Sequence, residues 1–187
     1  ELLRELSVLN HPQFRKEPKV RGDLWHIRKG LYATVAGNRP SGTTALLEDI
    51  AVPISFLAET CNSLVTLFAK HNYQESVIFG HAKDGNIHFL LNERFDDKLS
   101  LARYSKFTED MVELVLGNSG TLKAEHGTGR IMAPFVKRQY GEEIYAIMRE
   151  IKASFDPRNI LNPGIMISDD SELHIKSLKS VPSIEKE

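Results

Sequence analysis

Two histidines that flank a predicted hairpin turn are the first candidates for chemistry. Asp84 and Gly85 separate two runs rich in valine, isoleucine, phenylalanine and leucine, which is typical of a two-residue β-hairpin turn. Such a turn places His81 directly opposite His88, with Cβ atoms about 5 Å apart. Two imidazoles at that distance could bind one divalent metal ion or flank a polar substrate. The alternative is that each histidine is structural, as most histidines on strands are.

A second cluster, Glu125–Arg130 (Glu-His-Gly-Thr-Gly-Arg), combines a carboxylate with an adjacent imidazole. Glu125 could complete a set of two histidines and one carboxylate, which leaves coordination positions open for a substrate. His126 could act as a general base, because imidazole exchanges protons near neutral pH. The two glycines allow the backbone to approach a ligand closely. The same residues also fit a strand that ends in a glycine-rich turn.

Two arginines are candidates for binding a substrate carboxylate, because guanidinium pairs bidentately with carboxylate. Arg28 lies on the first predicted helix and Arg39 in the loop that follows it. Glu48 and Asp49 are unusual in an otherwise apolar predicted strand and could be partners for these arginines. The alternative for each arginine is an ordinary solvated surface residue.

The composition is that of one soluble globular domain, with 187 residues, 41% apolar residues and a formal net charge of −1. It provides no basic surface for nucleic acid and no apolar run of the roughly 20 residues that a transmembrane helix needs. The single cysteine, Cys61, excludes an internal disulfide and a cysteine-rich metal site. The chain begins without Met and without a signal-peptide pattern, and we interpret it as a piece of a longer polypeptide.

The periodicity predicts an α+β fold that positions these residues. The predicted elements are a helix at 23–35, a strand at 43–52, a helix from 55, strands at 76–82 and 86–92, a helix at 97–116, a strand at 121–125 and a helix at 141–155. The four strands and the two helices between them follow the ferredoxin-like order, an antiparallel sheet with helices on one face, to which C-terminal helices are added. Apolar stripes on the helices are predicted to be core.

An idealised ferredoxin-like sheet conflicts with the proposed grouping of side chains. Its last strand starts near the hairpin turn and runs away from it. Six residues of strand cover about 20 Å, so that Glu125 would finish far from His81. We therefore expect either that the last strand is short or displaced, or that the topology is more elaborate than a simple ferredoxin-like sheet.

Three ordered motifs resemble those of one family, the C-terminal domain of FAD-linked oxidases. Residues 80–88 resemble its Gly-His-x-x-Asp-Gly-Asn-x-His signature, residues 125–129 its Glu-His-Gly-x-Gly signature, and residues 155–164 its closing segment. Three motifs in order are far more specific than any one of them. The predicted division is an irregular lead-in at 1–22, the cap domain at 23–167 and a polar tail or linker at 168–187.

The resemblance implies a role in oxidising a D-2-hydroxyacid, as in D-lactate dehydrogenases, glycolate oxidase subunits and D-2-hydroxyglutarate dehydrogenases. It implies that an upstream domain binds most of the FAD and that this region covers the flavin ring. His81, His88 and Glu125 would then hold a divalent metal, zinc, that binds the substrate. His126 would take the hydroxyl proton while hydride passes to the flavin.

Further expectations follow from the same resemblance. Arg28 matches a family arginine that binds a substrate carboxylate, and Arg39 is a second candidate for such a contact. Expected flavin contacts are Asn86, Gly127 and Asn162. Residues 25–30 and 43–49 resemble the large bacterial members, in which an iron–sulfur portion follows; iron–sulfur clusters would belong to that downstream portion. We expect a cytoplasmic protein, which in full-length form can lie against the inner face of the membrane.

Two positions depart from relatives that oxidise dicarboxylic hydroxyacids. Leu47 stands where those relatives place a lysine, and Leu90 stands where they place an asparagine. The resemblance therefore leaves the substrate open between D-lactate and D-2-hydroxyglutarate types. Arg39 could replace the missing cationic contact.

Two other functions are compatible with the histidines. One is a non-catalytic ferredoxin-like module for ligand binding or assembly, and the other is an independent zinc hydrolase, for which no nucleophile is evident. The conjunction of three motifs favours the flavoenzyme. In that interpretation the chain alone is inactive and exposes a partly open polar cleft.

Overall fold

The computed structural model describes residues 13–182, and the chain divides between Asn38 and Arg39 into two compact units. The first unit contains helix α1 (Pro18–Gly37). Proline suits the first turn because its missing N–H is not needed there. The helix predicted at 23–35 is confirmed but begins five residues earlier. The first twelve residues of the predicted lead-in lie outside the described residues.

The second unit is built on a three-stranded antiparallel sheet of order β1-β3-β2, and the predicted α+β class is confirmed. Its elements are β1 (Thr44–Ala51), α2 (Leu57–Lys70), β2 (Val77–His81), β3 (Asn86–Glu93), α3 (Lys98–Gly117), α4 (Gly129–Met132) and α5 (Val136–Phe155). The strand predicted at 121–125 is wrong. Only Thr121 forms a bridge, with Ala51, because the chain then bends around the end of β1 instead of continuing a ladder.

One face of the sheet packs against α2 and α3 to form the core. Phe89 of β3 is fully buried, and its ring centre lies 5.5 Å from that of Phe68 on α2 and 6.0 Å from that of Phe107 on α3. Asp97 begins α3 by accepting N–H groups of the first turn, as an N-cap does. The helical stripe predicted around Phe107 is confirmed as core.

The connection between β2 and β3 differs from the predicted two-residue turn. Four residues, 82–85, link the strands, so that His81 pairs with Asn86 and His88 pairs with Phe79. The predicted direct pairing of the two histidines is therefore wrong. The pairing is displaced by two residues, and because side chains alternate with period two, both histidines stay on the same face. They are diagonal neighbours.

The apolar stripe on α5 is not core, contrary to the prediction. Ile147, Ile151 and Phe155 are 47%, 54% and 83% exposed. The helix turns its other side inward, where Tyr145 is buried and its hydroxyl donates to the Ser168 carbonyl. Within residues 13–182 the stripe therefore remains uncovered.

The described part of the predicted tail contacts the second unit closely. Ile175 and Leu178 pack against the core, and His174 is 4% exposed beside the ring of Phe135. The predicted division of the chain at residues 22 and 167 stays a prediction. No helix within residues 13–182 is long and apolar enough to cross a membrane.

Candidate functional site

The sheet face opposite the core carries a rung of polar residues. Asp49 of β1 pairs directly with His88 of β3, and both side chains are almost fully buried. The His88 Nδ1 atom lies 3.4 Å from the nearer Asp49 oxygen, Oδ1. His81, at the end of β2, lies on the same face, with its ring centre 5.5 Å from that of His88. The strand register thus gathers an acid and two imidazoles at one end of the sheet.

Glu125 completes this group. Its Oε1 atom lies 2.9 Å from His88 Nε2 and 3.4 Å from His81 Nε2. His81 and Glu125 are about half exposed, whereas His88 is buried beneath them. Glu125 stays close to His81 because residues 121–125 form only the Thr121 bridge and no strand that runs away from the hairpin.

The segment before Glu125 is tied to β1 by a few backbone hydrogen bonds and by side-chain contacts rather than by a continuous ladder. After the Ala51–Thr121 bridge, the Lys123 ammonium donates to Glu48 at 2.7 Å. The backbone N–H of Ala124 then reaches the Asp49 carbonyl at 3.2 Å. These contacts bend the chain across the end of the sheet and hold the following two residues at the level of His88.

Asp49 organises the site from below. Its Oδ2 atom accepts the backbone N–H groups of Ala124, Glu125 and His126 at 3.1, 2.7 and 2.8 Å. Its Oδ1 atom accepts from the Asn86 amide at 2.7 Å. Burial acts to raise the pKa of Asp49, but these hydrogen bonds outweigh it and leave the pKa below the ordinary value. Asp49 is therefore a buried carboxylate that stays ionised.

His88 is held as a neutral imidazole. Burial is the largest influence on its pKa and lowers it, against the opposing charges of Asp49 and Glu125. Its Nδ1 atom has no hydrogen bond of good geometry to any residue within 13–182. A neutral imidazole offers a lone pair to a cation, which is the form a metal ligand needs.

His126 lies over His88. The two rings are parallel within 7°, with centres 4.9 Å apart. His126 Nδ1 lies 4.0 Å from Asp49, and His126 Nε2 lies 3.8 Å from Glu125 Oε1. The ring is 41% exposed, so Nε2 is accessible beside the Glu125 carboxylate.

Two groups of donor atoms within the described residues could hold a metal ion, and they share His88. The first is His81, His88 and Glu125, whose ligand atoms all lie within 4.8 Å of one another. The second replaces two of these with Asp49 and His126. Because both oxygens of Asp49 already accept hydrogen bonds, the first group fits a divalent cation better. Two imidazoles and one carboxylate suit zinc or another first-row divalent metal.

The predicted substrate arginines lie in different units. Arg28 is half-buried on α1, in the first unit. Arg39 is exposed at the start of the second unit, where its Nε donates to the Thr43 carbonyl at 3.0 Å. Glu48, predicted as a possible partner of these arginines, instead bonds Lys123. The substrate role of both arginines stays a prediction.

The predicted flavin contacts differ in their surroundings. Asn86 is 6% exposed and commits its amide N–H₂ to Asp49 and to the Ile50 carbonyl, while its Oδ1 atom has no partner among the described residues. Gly127 is exposed with a φ of 72°, and no atom lies within 4 Å of the position a Cβ would take. Asn162 is exposed, with a φ of 46°.

The closing motif is organised by Asp156, whose carboxylate accepts the N–H groups of Ile160 and Leu161. The Lys152 ammonium bonds both Asp156 and the Leu161 carbonyl. The Lys152 ion pair is the largest influence on the pKa of Asp156 and lowers it. This network fixes the loop that presents Asn162.

Asp49 is the site residue that sequence reasoning did not place. The available signal was an acid in a run of apolar strand residues, which is costly to bury unless the carboxylate is well bonded. Its partners could not be found from local patterns, because three of its hydrogen bonds come from backbone groups 75 to 77 positions away.

Comparison with known proteins agrees with the motifs. The family model of FAD linked oxidases, C-terminal domain, matches residues 2–166. The glycolate oxidase subunit GlcD of Bacillus subtilis is 32% identical over 152 residues, which cover 81% of this chain and 32% of that protein. A mitochondrial D-lactate dehydrogenase (cytochrome) of Arabidopsis thaliana is 32% identical over 158 residues, covering 82% and 27%.

The D-2-hydroxyglutarate dehydrogenase of Haemophilus influenzae is 31% identical over 147 residues, which cover 75% of this chain and 14% of that protein. The chain thus spans about a third or less of the length of these relatives. The matched region includes the hairpin, the Glu125–His126 segment and the closing motif. The chain belongs to the FAD-linked oxidase family and corresponds to its C-terminal domain.

Proposed function

We propose that this chain is the substrate-facing cap of an FAD-dependent dehydrogenase that oxidises a D-2-hydroxyacid to the 2-oxoacid. The observation that carries the proposal is the convergence of His81 Nε2, His88 Nε2 and Glu125 Oε1 within 4.8 Å of one another. Such a donor set leaves positions open for the hydroxyl and carboxylate oxygens of a substrate. Family membership supports the flavoenzyme over a non-catalytic module.

The chain's own residues would perform three tasks. His81, His88 and Glu125 would hold a divalent metal. A metal in this position would make the substrate hydroxyl easier to deprotonate. His126 would accept the hydroxyl proton at Nε2, the ring nitrogen on the side of Glu125. FAD, when bound, supplies the two-electron acceptor for the hydride. The buried Asp49 would stabilise the imidazolium of His126 through its charge, 4.0 Å away.

The surroundings of His88 favour a substrate with one carboxylate. The rung next to Asp49 and His88 on this sheet face is formed by Leu47 and Leu90. A second substrate carboxylate directed along the sheet would meet these apolar side chains, which cannot donate hydrogen bonds. We therefore propose a substrate of the D-lactate type rather than the D-2-hydroxyglutarate type.

The remainder of the flavoenzyme is the proposed partner. The relatives are at least about three times as long as the matched region, and the stripe of Ile147, Ile151 and Phe155 on α5 is exposed. Exposed contiguous apolar side chains are typical of surfaces that contact another domain. We propose that the FAD-binding part lies upstream; a downstream iron–sulfur portion and a peripheral position at the membrane stay predictions.

The test is a visible spectrum of the chain expressed together with its upstream region. Anaerobic D-lactate should bleach the flavin absorption, and D-2-hydroxyglutarate should bleach it more slowly at equal concentration. Bleaching by D-2-hydroxyglutarate alone would overturn the choice of substrate. A well-folded protein without flavin would overturn the proposed function.

A further inference from the structure

Asp49 and Glu48 are adjacent buried acids on β1, and only Asp49 contacts the site. Glu48 points to the helix-covered face, is 2% exposed and bonds the Lys123 side chain. Asp49 is fully buried on the opposite face and has no ammonium or guanidinium among its hydrogen-bond donors within the described residues. Its hydrogen bonds come instead from the Asn86 amide and from the backbone of residues 124–126, the segment that carries Glu125 and His126, which points to a role in arranging the site as well as in stability.

The two oxygens of Asp49 face two different parts of the site. Oδ2 accepts the N–H groups of Glu125 and His126 at 2.7 and 2.8 Å, and so fixes the backbone that carries both side chains. Oδ1 lies 3.4 Å from His88 Nδ1, on the side of the ring away from Glu125. One carboxylate thus touches both sequence segments that supply donor atoms.

We propose that Asp49 is the positioning residue of the metal site, a role that rests on the proposed function. An imidazole that binds a cation through Nε2 carries its proton on Nδ1, and that proton needs an acceptor. With a metal on Nε2, Asp49 Oδ1, which lies 3.4 Å from His88 Nδ1, would accept that proton, while Oδ2 holds the backbone of Glu125. The carboxylate acts through these residues and does not itself bind the metal, because its lone pairs are already used.

The carboxylate cannot be replaced by its neutral isostere without loss of this function. An asparagine in the same place keeps the shape and one acceptor oxygen, but its second position becomes an N–H₂ donor. That donor would meet either the N–H groups of residues 124–126 or the Asn86 amide and His88 Nδ1. Either arrangement opposes donor to donor on one side of the site.

The experiment compares Asp49→Asn in the 187-residue chain with the matched control Asp110→Asn, because the Asp110 carboxylate accepts hydrogen bonds from Lys70 and His71 away from the site. Zinc affinity is measured by competition with a chromophoric chelator, at a temperature where thermal unfolding shows each metal-free chain to be folded. Asp49→Asn should weaken zinc binding about 10- to 100-fold, the effect typical of groups that orient metal ligands. Asp110→Asn should change the affinity less than about twofold. Equal affinity in wild type and Asp49→Asn would overturn the proposal.

Nitrogen NMR of the His88 ring gives a signature that a merely structural role would not produce. In the zinc-loaded wild type, Nδ1 should carry the proton and Nε2 the metal; the reverse assignment would overturn the proposal even if Asp49→Asn fails to fold. Amide hydrogen exchange in the metal-free chain provides a measurement that does not depend on zinc binding. Asp49→Asn should accelerate exchange at Glu125 and His126, and Asp110→Asn should not.

These measurements distinguish the role proposed for Asp49 from the proposed metal site. If the wild-type chain binds no zinc, the metal assignment is wrong. If Asp49→Asn nevertheless loses protection against amide exchange at Glu125 and His126, Asp49 remains the residue that positions this segment. Unchanged protection in Asp49→Asn would overturn the role of Asp49 whatever the result with zinc.

Discussion

The two faces of the sheet use the same strands for different purposes, and the adjacent residues Glu48 and Asp49 show the difference. Glu48 points to the helices and forms an ion pair with Lys123 at 2.7 Å. Asp49 points to the other face, where its partners are backbone N–H groups and the Asn86 amide. Both acids attach the same 121–126 segment to β1, one through a side chain and the other through the main chain.

Period-two alternation allows one strand to serve both faces without conflict. On β3, Ile87, Phe89 and Leu91 join the core, whereas Asn86 and His88 point to the site. Asn86 and His88 are nevertheless buried, because the bent segment covers them. A substitution on the core face should therefore change mainly stability, and a substitution on the site face should change mainly ligand binding.

The largest expected effect is on the core face, with Phe89→Ala. The ring is fully buried between Phe68 and Phe107, and truncating such a side chain costs about 3–5 kcal/mol of stability. Urea unfolding of the metal-free chain measures the loss. Where the variant is still folded, its zinc affinity should equal that of the wild type; a large fall in affinity would mean that the two faces are not separable.

On the site face, His88→Ala removes one of the three proposed ligands. We expect zinc affinity to fall more than about 100-fold, beyond the range typical of residues that only orient ligands. Competition titration with a zinc chelator measures the change. His71→Ala is the matched control, because His71 is also a buried histidine, paired with Asp110 away from the site. Comparable loss of affinity in both variants would show that the effect is not specific to the site.

Gly85→Ala tests the loop that sets the relation between the histidines. Gly85 has a φ of 67°, and an added Cβ would collide with the Val52 carbonyl. We expect a loss of about 1–3 kcal/mol, as for other non-glycine residues in strained backbone, together with weaker zinc binding because His81 shifts. Gly117→Ala is the control, since nothing lies within 4 Å of its Cβ position. Equal unfolding free energies for the two variants would contradict this account of the loop.

Local patterns in the sequence predicted most of the fold. The α+β class, α3 with its buried Tyr104 and Phe107, and the two strands around the hairpin follow from periodicity and from the Asp84-Gly85 turn signal. The turn type was wrong because Gly85 alone adopts the left-handed conformation after a short 3₁₀ turn. The error displaced the pairing by two residues. Because side chains alternate with period two, the prediction that both histidines lie on one face was still correct.

What the sequence could not predict depends on contacts between distant segments. The last strand was predicted at 121–125, but Asp49 and Glu48 accept hydrogen bonds from that segment and bend it across the sheet. The stripe on α5 has the same periodicity as the core stripe on α3, and yet Phe155 is 83% exposed. A helical pattern indicates an apolar face; it does not indicate which surface covers that face.

The smallest expected effect is the pH dependence of the Asp49 contribution to stability. Because the folded pKa of Asp49 lies below the ordinary value, its carboxylate stabilises the fold above the unfolded value of about 3.9. This contribution is lost as pH falls through the folded pKa. The wild type should therefore lose stability relative to Asp49→Asn only as the pH falls below about 3.9, as measured by urea unfolding of the metal-free chains. Burial favours the neutral form of Asp49, whereas the N–H groups of Glu125 and His126 favour the charged form. A wild type that instead gains stability relative to Asp49→Asn as the pH falls would show that burial, not hydrogen bonding, controls the pKa of this residue.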